Sequence, residues 1–149
     1  MVERNEPAGS EYAHGNASVP SALRMWFVIH FAIDMIVALP LFFAPREVLT
    51  LFGWTAIDPL ATRLAAAAFF GIGLESLMGR NAGREAFKGM LQLKLIWSAF
   101  AAIGLAWSVL EGGLKYQWIG WMLVGTFVAF HVLWWYWLLR LKGGRDEVA

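Results

Sequence analysis

From residue 25 onward, long apolar runs alternate with short polar breaks. The runs cover about residues 25–43, 59–79, 88–110 and 117–140, and each is near the ~20 residues a membrane-spanning helix requires. Backbone polar groups must be satisfied internally in lipid, so runs of this length predict helices rather than strands. The first run ends in Pro40-Leu-Phe-Phe43, where a kink or an early stop is tolerated. Ala44 to Trp54 is too short to span. Pro45 at a first helical position, apolar Val48, Leu49, Leu51 and Phe52, and a terminal Gly53 predict a short helix lying in the membrane interface. Asp58-Pro59 reads as an N-cap followed by a first helical residue. Gly79 to Glu85 is a polar connection, and Glu111-Gly112-Gly113 is a turn. The expected fold is all-α: a four-transmembrane-helix bundle with a short interfacial helix between spans 1 and 2.

Composition supports the pattern. Of 149 residues, 59% are hydrophobic and only 15% charged, against about 45–50% and 25% in soluble domains. One bundle over residues 23–141 accounts for the apolar sequence, flanked by expected cytoplasmic tails at 1–22 and 142–149. The first tail is polar, with no short apolar core and cleavage site of a signal peptide. Asn16-Ala17-Ser18 fits a glycosylation acceptor but falls on the expected cytoplasmic side. The chain has no cysteine, which excludes disulfides, thiolate catalysis and Cys-ligated zinc or iron–sulfur centres. A net charge of +1 gives no indication of nucleic acid as a partner.

Charge outside the spans sets an expected orientation. With four spans, the N-terminal tail, the second connection and the C-terminal tail share one side, holding Arg4, Arg24, Arg80, Arg84, Lys88, Arg140, Lys142 and Arg145. The other side has Arg46 and Lys115, with Arg63 just inside the membrane. The positive-inside rule then places both termini in the cytoplasm of a multi-pass cell-membrane protein.

Candidate chemistry lies within the spans. An ionised side chain at the bilayer centre costs at least ~2.5–3.5 kcal/mol on insertion scales, so such residues pair or line a cavity. Asp34 is near the middle of span 1, and His30 is one turn away on the same face. Glu75 and Lys94 fall at similar depth on either side of the second connection. An ion pair pinning that hairpin, or a Lys94 side chain snorkelling to the headgroups, are two structural readings. The functional reading makes Glu75 an acceptor facing a cavity, with Lys94 as counter-ion. His131 of span 4 matches the height of His30 and Asp34, and Arg63 is within expected reach of Asp34. Two imidazoles and two carboxylates can ligate a divalent metal, relay protons or hold a cationic ligand. No His-Glu-x-x-His spacing occurs, so no metal is assigned. His30 and His131 could act as axial haem ligands, but Asp34 would crowd the ring with charge, and no cofactor is assigned.

Most of the nine tryptophans fall near span ends: Trp26, Trp54, Trp118, Trp121, Trp134, Trp135 and Trp137. They are expected in interfacial belts rather than in a cage for a cation. Trp97 and Trp107 lie within span 3. Ala67/Gly71 and Gly125/Ala129 are small-xxx-small pairs that allow close helix approach.

The order of elements has further punctuation: a first span ending in Pro, the Phe42-x-x-Pro-x-x-x-Leu-x-Leu-Phe-Gly53 stretch, Asp58-Pro59, then Arg63-Leu64 and a Gly-x-Gly-bearing helix. Over residues 25 to about 140 it resembles the small prokaryotic four-helix membrane proteins grouped around the DoxX-like families. Some of those are associated with quinone-linked respiration or thiol oxidation, and without cysteine this chain cannot itself perform thiol chemistry. The general plan, with its buried acids, is more distantly similar to the sterol-isomerase-like four-helix domain. The expected function is binding or transport of a small ligand, ion or proton at an intramembrane site drawn from His30, Asp34, Glu75, Lys94 and His131, with Arg63 secondary. The alternatives are a structural accessory subunit of a larger membrane complex, and a membrane enzyme acting on lipid or quinone by acid–base chemistry. Expected partners are the lipid bilayer and either further copies or a membrane complex.

Overall fold

The structure is a computed structural model and describes residues 19–143. The acceptor motif at Asn16 and the tail residues 1–18 and 144–149, including Arg4 and Arg145, lie outside the described residues. The chain forms α1 (Ser21–Phe43), the short α2 (Pro45–Leu51), α3 (Pro59–Met78), a 3-10 turn (Gly79–Asn81), α4 (Arg84–Leu110) and α5 (Gln117–Gly143). The four long helices are each apolar and long enough to cross a membrane. α1 and α4 begin about one turn before their apolar runs. Ser21, Arg24, Arg84 and Glu85 continue the helical backbone into polar sequence, which hydropathy alone does not register.

Local chemistry explains where the elements start and stop. The Asp58 carboxylate accepts from the Leu60 and Ala61 amides at 2.8 and 3.3 Å, and Pro59 occupies the first turn of α3. Pro45 starts α2 in the same way. Gly112, at φ +80°, ends α4 in the left-handed region that favours glycine. Gly53, at φ +83°, closes the loop after α2, and a Cβ there would also fall 2.6 Å from the Tyr116 ring.

The helices associate as two close pairs, α1 with α3 and α4 with α5. Gly73 permits the first pairing: a Cβ on it would meet Asp34 Cβ at 2.8 Å and Met35 Cε at 2.9 Å. Gly120 permits the second by leaving room for the Val109 side chain. The expected close approach at Ala67/Gly71 does not occur within the protomer. Both residues are exposed, and Gly71 faces open space.

Hydrogen bonds secure both ends of the bundle. At one end Arg24 of α1 donates to the carbonyls of Arg80 and Ala82 in the connection between α3 and α4, and Arg84 donates to the Leu141 carbonyl within the α4–α5 pair. At the other, Trp54 and Leu114 form an antiparallel bridge, and the Lys115 amide donates to the Gly53 carbonyl at 2.7 Å. Between the pairs, long side chains fill the space. Leu23 and Phe27 of α1, Phe87 and Leu91 of α4, and Trp134, Leu138 and Leu141 of α5 form the main core near the first end. Phe27 packs on Phe87 at 4.7 Å and edge-on to Trp134 at 6.0 Å.

Two tryptophans of the expected belt are therefore core residues. Positions 134, 137, 138 and 141 recur at helical spacing on the inward face of α5, so Trp134 and Trp137 are buried while Trp135 and Tyr136 point outward. Trp107 goes the other way. It is exposed, and its indole N–H donates to Glu111 at 2.6 Å. Ile36, Leu60, Leu64, Phe100 and Ile103 also face outward. A surface this apolar is solvated by lipid far better than by water.

Candidate functional site

Where the two helix pairs meet, the polar side chains of the interior collect beside the aromatic core. Lys94, about ten residues into α4, is at the centre and only 1% exposed. Its ammonium donates to Ser76 Oγ of α3 at 2.6 Å, and Ser76 in turn donates to the Ile72 carbonyl at 2.6 Å. The ammonium also stands 5.0 Å from the Phe27 ring centre and 5.6 Å from that of Trp134, within cation–π range. Buried in this way, Lys94 does not follow the alternative of snorkelling to the headgroups.

Nor is Lys94 in direct contact with Glu75. Within 4 Å the ammonium meets Ser76 and His30, and it interacts with Glu75 and Asp34 only through their charge. One residue along α3 turns the side chain by about 100°, so Ser76 rather than Glu75 points at Lys94. Ser76 was the polar signal that attention to charged residues passed over: a hydroxyl in an apolar run, next to a carboxylate.

His30 and Asp34 meet as their spacing implies, with Nδ1 2.9 Å from Asp34 Oδ2. The same Nδ1 is 3.4 Å from the Lys94 ammonium. An ammonium can only donate and an ionised carboxylate can only accept. One ring nitrogen therefore cannot serve both. Without a hydrogen Nδ1 accepts from Lys94; with one, as the neutral tautomer or the imidazolium, it faces Asp34 as a donor. In the arrangement seen, no donor is aligned on Asp34 Oδ2, although the residue is 4% exposed. Phe130 and Trp134 of α5 hold the imidazole edge-on at 5.2 and 5.0 Å.

Glu75 is half-buried on the outer side of this cluster, and its Oε2 is buried with no hydrogen-bond partner. It lines a groove of about 610 Å³ between the α3 side and the start of α4, together with Gly71, Leu74, Met78, Ala86 and Met90.

His131 and Arg63 do not join the cluster. On α5 the residues facing His30 are Phe130 and Trp134, and His131 turns toward α4. Its Nδ1 lies 3.0 Å from Ser98 Oγ and 3.2 Å from the Leu95 carbonyl. With a hydrogen on Nδ1 the ring donates to the carbonyl, and without one it accepts from the Ser98 hydroxyl. Arg63 donates through Nε to the Phe42 carbonyl at 3.1 Å, capping the end of α1 instead of reaching Asp34. Sequence depth placed both residues correctly in height, but rotation about the helix axis decides contact. Among the described residues, no group of three or more His, Asp or Glu side chains is disposed to hold a metal ion.

The cluster contains two carboxyl groups, Asp34 and Glu75, against one ammonium, Lys94. With all three ionised and His30 neutral it is one positive charge short. No family model matches the chain, and no curated protein or solved structure does either.

Proposed function

We propose that the protein is a multi-pass integral membrane protein whose interior binds a proton or a small cation at the cluster of His30, Asp34 and Lys94, with Glu75 beside it. The observation that carries this reading is the contested His30 Nδ1, placed 2.9 Å from a carboxylate oxygen without an aligned donor and 3.4 Å from an ammonium. A purely structural network would satisfy its buried acceptors, as more than about nine in ten buried polar groups are satisfied. Here one ring nitrogen stands between an acceptor and a donor, and its hydrogen decides which it serves. Protonating His30 places a hydrogen on Nδ1 for Asp34 and supplies the missing positive charge. The basic residues Arg24, Arg80, Arg84, Lys88, Arg140 and Lys142 at the tied terminal end, against Arg46, Arg63 and Lys115 at the other, support a cytoplasmic location for both termini.

The test is an infrared titration of the full chain in lipid nanodiscs. The Asp34 carboxylate stretch is expected to shift with pH as His30 takes up a proton. Asp34→Asn should remove the band, and His30→Phe should abolish its pH response while the helix content is kept. A band that does not respond to pH, or one unchanged in both variants, sinks the proposal.

A further inference from the structure

The groove beside Glu75 has its own logic. Consecutive helices joined by a short turn would ordinarily pack along their length. Here α3 is drawn to α1 by Gly73 and α4 to α5 by Gly120, and the α3–α4 face is left open. Its walls are apolar, from Leu74 and Met78 on one side to Ala86 and Met90 on the other. Leu74 and Met78 are themselves exposed, so the groove opens sideways, toward lipid when the helices span a bilayer. Its volume is about 610 Å³, and it is widely open to the exterior. Glu75 is the single ionisable side chain among its lining residues. Among the described residues the cation acting on Glu75 through its charge is Lys94, which is held by Ser76 on the inner side.

We propose that this groove binds an alkylammonium, a protonated primary amine carrying one hydrocarbon chain, with its N–H groups on Glu75 and its chain along Leu74, Met78 and Met90. The inference rests on the reading of the neighbouring cluster as one positive charge short. The occupant follows from complementarity. Glu75 brings the only carboxyl group to the groove lining, and a carboxylate takes an N–H in a charge-assisted bond stronger than a neutral one. An anion would be repelled, and a neutral chain would leave the acceptor unsatisfied. A quaternary ammonium matches the charge but offers no N–H. Gly71 leaves its side of the groove open, since nothing stands within 4 Å of where its Cβ would be.

Photolabelling tests the assignment with the full chain in phosphatidylcholine nanodiscs. A diazirine-bearing dodecylamine is the probe, and labelled residues are mapped by mass spectrometry. Labels should fall on α3 and the start of α4 and be competed by dodecylamine, but not by dodecanol or dodecyl sulfate. Glu75→Gln should weaken labelling about tenfold or more, the scale of one lost charge-assisted hydrogen bond. Glu75→Asp should retain part of it, and Gly71→Phe should block it by filling the groove. Bilayer partitioning of the probe is the same for every variant, so the differences report the site. Equal labelling of wild type and Glu75→Gln, or equal competition by dodecanol, overturns the proposal. Loss of labelling when phosphatidylethanolamine is added also overturns it, since a lipid headgroup is then the occupant. If labelling fails while the Asp34 titration is seen, only the alkylammonium assignment falls. If labelling succeeds without that titration, the cluster reading falls and Glu75 stands alone.

Discussion

Replacing Lys94 by Met tests whether the ammonium holds the two helix pairs together. Met is close in length and apolar, so the cavity left is small. Three terms act directly on the side chain. Its bond to Ser76 is charge-assisted and contributes about 1.5–3 kcal/mol. The faces of Phe27 and Trp134 add ~0.5–2 kcal/mol each. Against these, removing the ammonium relieves a desolvation cost of several kcal/mol. The direct terms nearly cancel, so the sign is set by what remains: the Asp34 and Glu75 carboxylates, with no cation between them. Breaking a buried ionic group in this way typically costs about 3–5 kcal/mol. Helices unfolded within a detergent phase recover part of such losses, which puts the expected value near the lower bound, about 3 kcal/mol. Adding Asp34→Asn to Lys94→Met should recover a large share, and adding Glu75→Gln as well should bring stability within ~1 kcal/mol of wild type. The assay is reversible unfolding in lipid–detergent micelles titrated with dodecyl sulfate and followed by helicity. If Lys94→Met is neutral, or if neutralising the acids rescues nothing, the ammonium is not the counter-ion of this cluster and the charge accounting is wrong.

Two further outcomes follow from the packing. Gly73→Ala drives a methyl into Asp34 and Met35 and should cost about 1–3 kcal/mol as overpacking, whereas Gly71→Ala, on the open side of the same helix, should be close to neutral in the same unfolding assay. His131→Phe removes the contacts to Ser98 and the Leu95 carbonyl and should destabilise by about 1 kcal/mol. It should leave the Asp34 infrared titration unchanged, and a shifted midpoint would mean that His131 belongs to the site after all.

The fold was legible because it depends on features that a linear pattern carries: run length, the Pro45 and Asp58-Pro59 starts, and the glycines after helices. The candidate site was legible only in one dimension. Depth along the helix axis follows from counting residues, and His30, Asp34, Lys94 and His131 do fall at related heights. Contact also requires azimuth, which each helix takes from its packing partner. α5 turns Phe130 and Trp134 inward, and this carries His131 round to α4. α3 turns Gly73 and Ser76 toward the interior, leaving Glu75 at the groove. Trp134 was misplaced for the same reason, because its position near a helix end suggested a belt while its face of the helix made it core. Pairing, too, departs from chain order. α3 and α4 are neighbours in sequence, yet the glycines that permit close approach belong to the α1–α3 and α4–α5 contacts.

That pairing gives the cluster its mechanical setting. Within each pair the backbones lock at a glycine, where a single methyl would force them apart. Between the pairs, the Lys94 side chain and the rings of Phe27, Phe87 and Trp134 fill the space. The contested nitrogen of His30 is located in this seam. Moving the imidazole from Lys94 to Asp34 shifts a hydrogen bond from between the pairs, α1 to α4, to within α1 itself. Protonation would then release one of the polar ties across the seam and leave Lys94 on Ser76 alone. Glu75 lines the groove on the outer side of that seam. The two acids thus face one ammonium, Lys94, from opposite sides, and in the function proposed above a charge added at either changes what Lys94 must balance for the other.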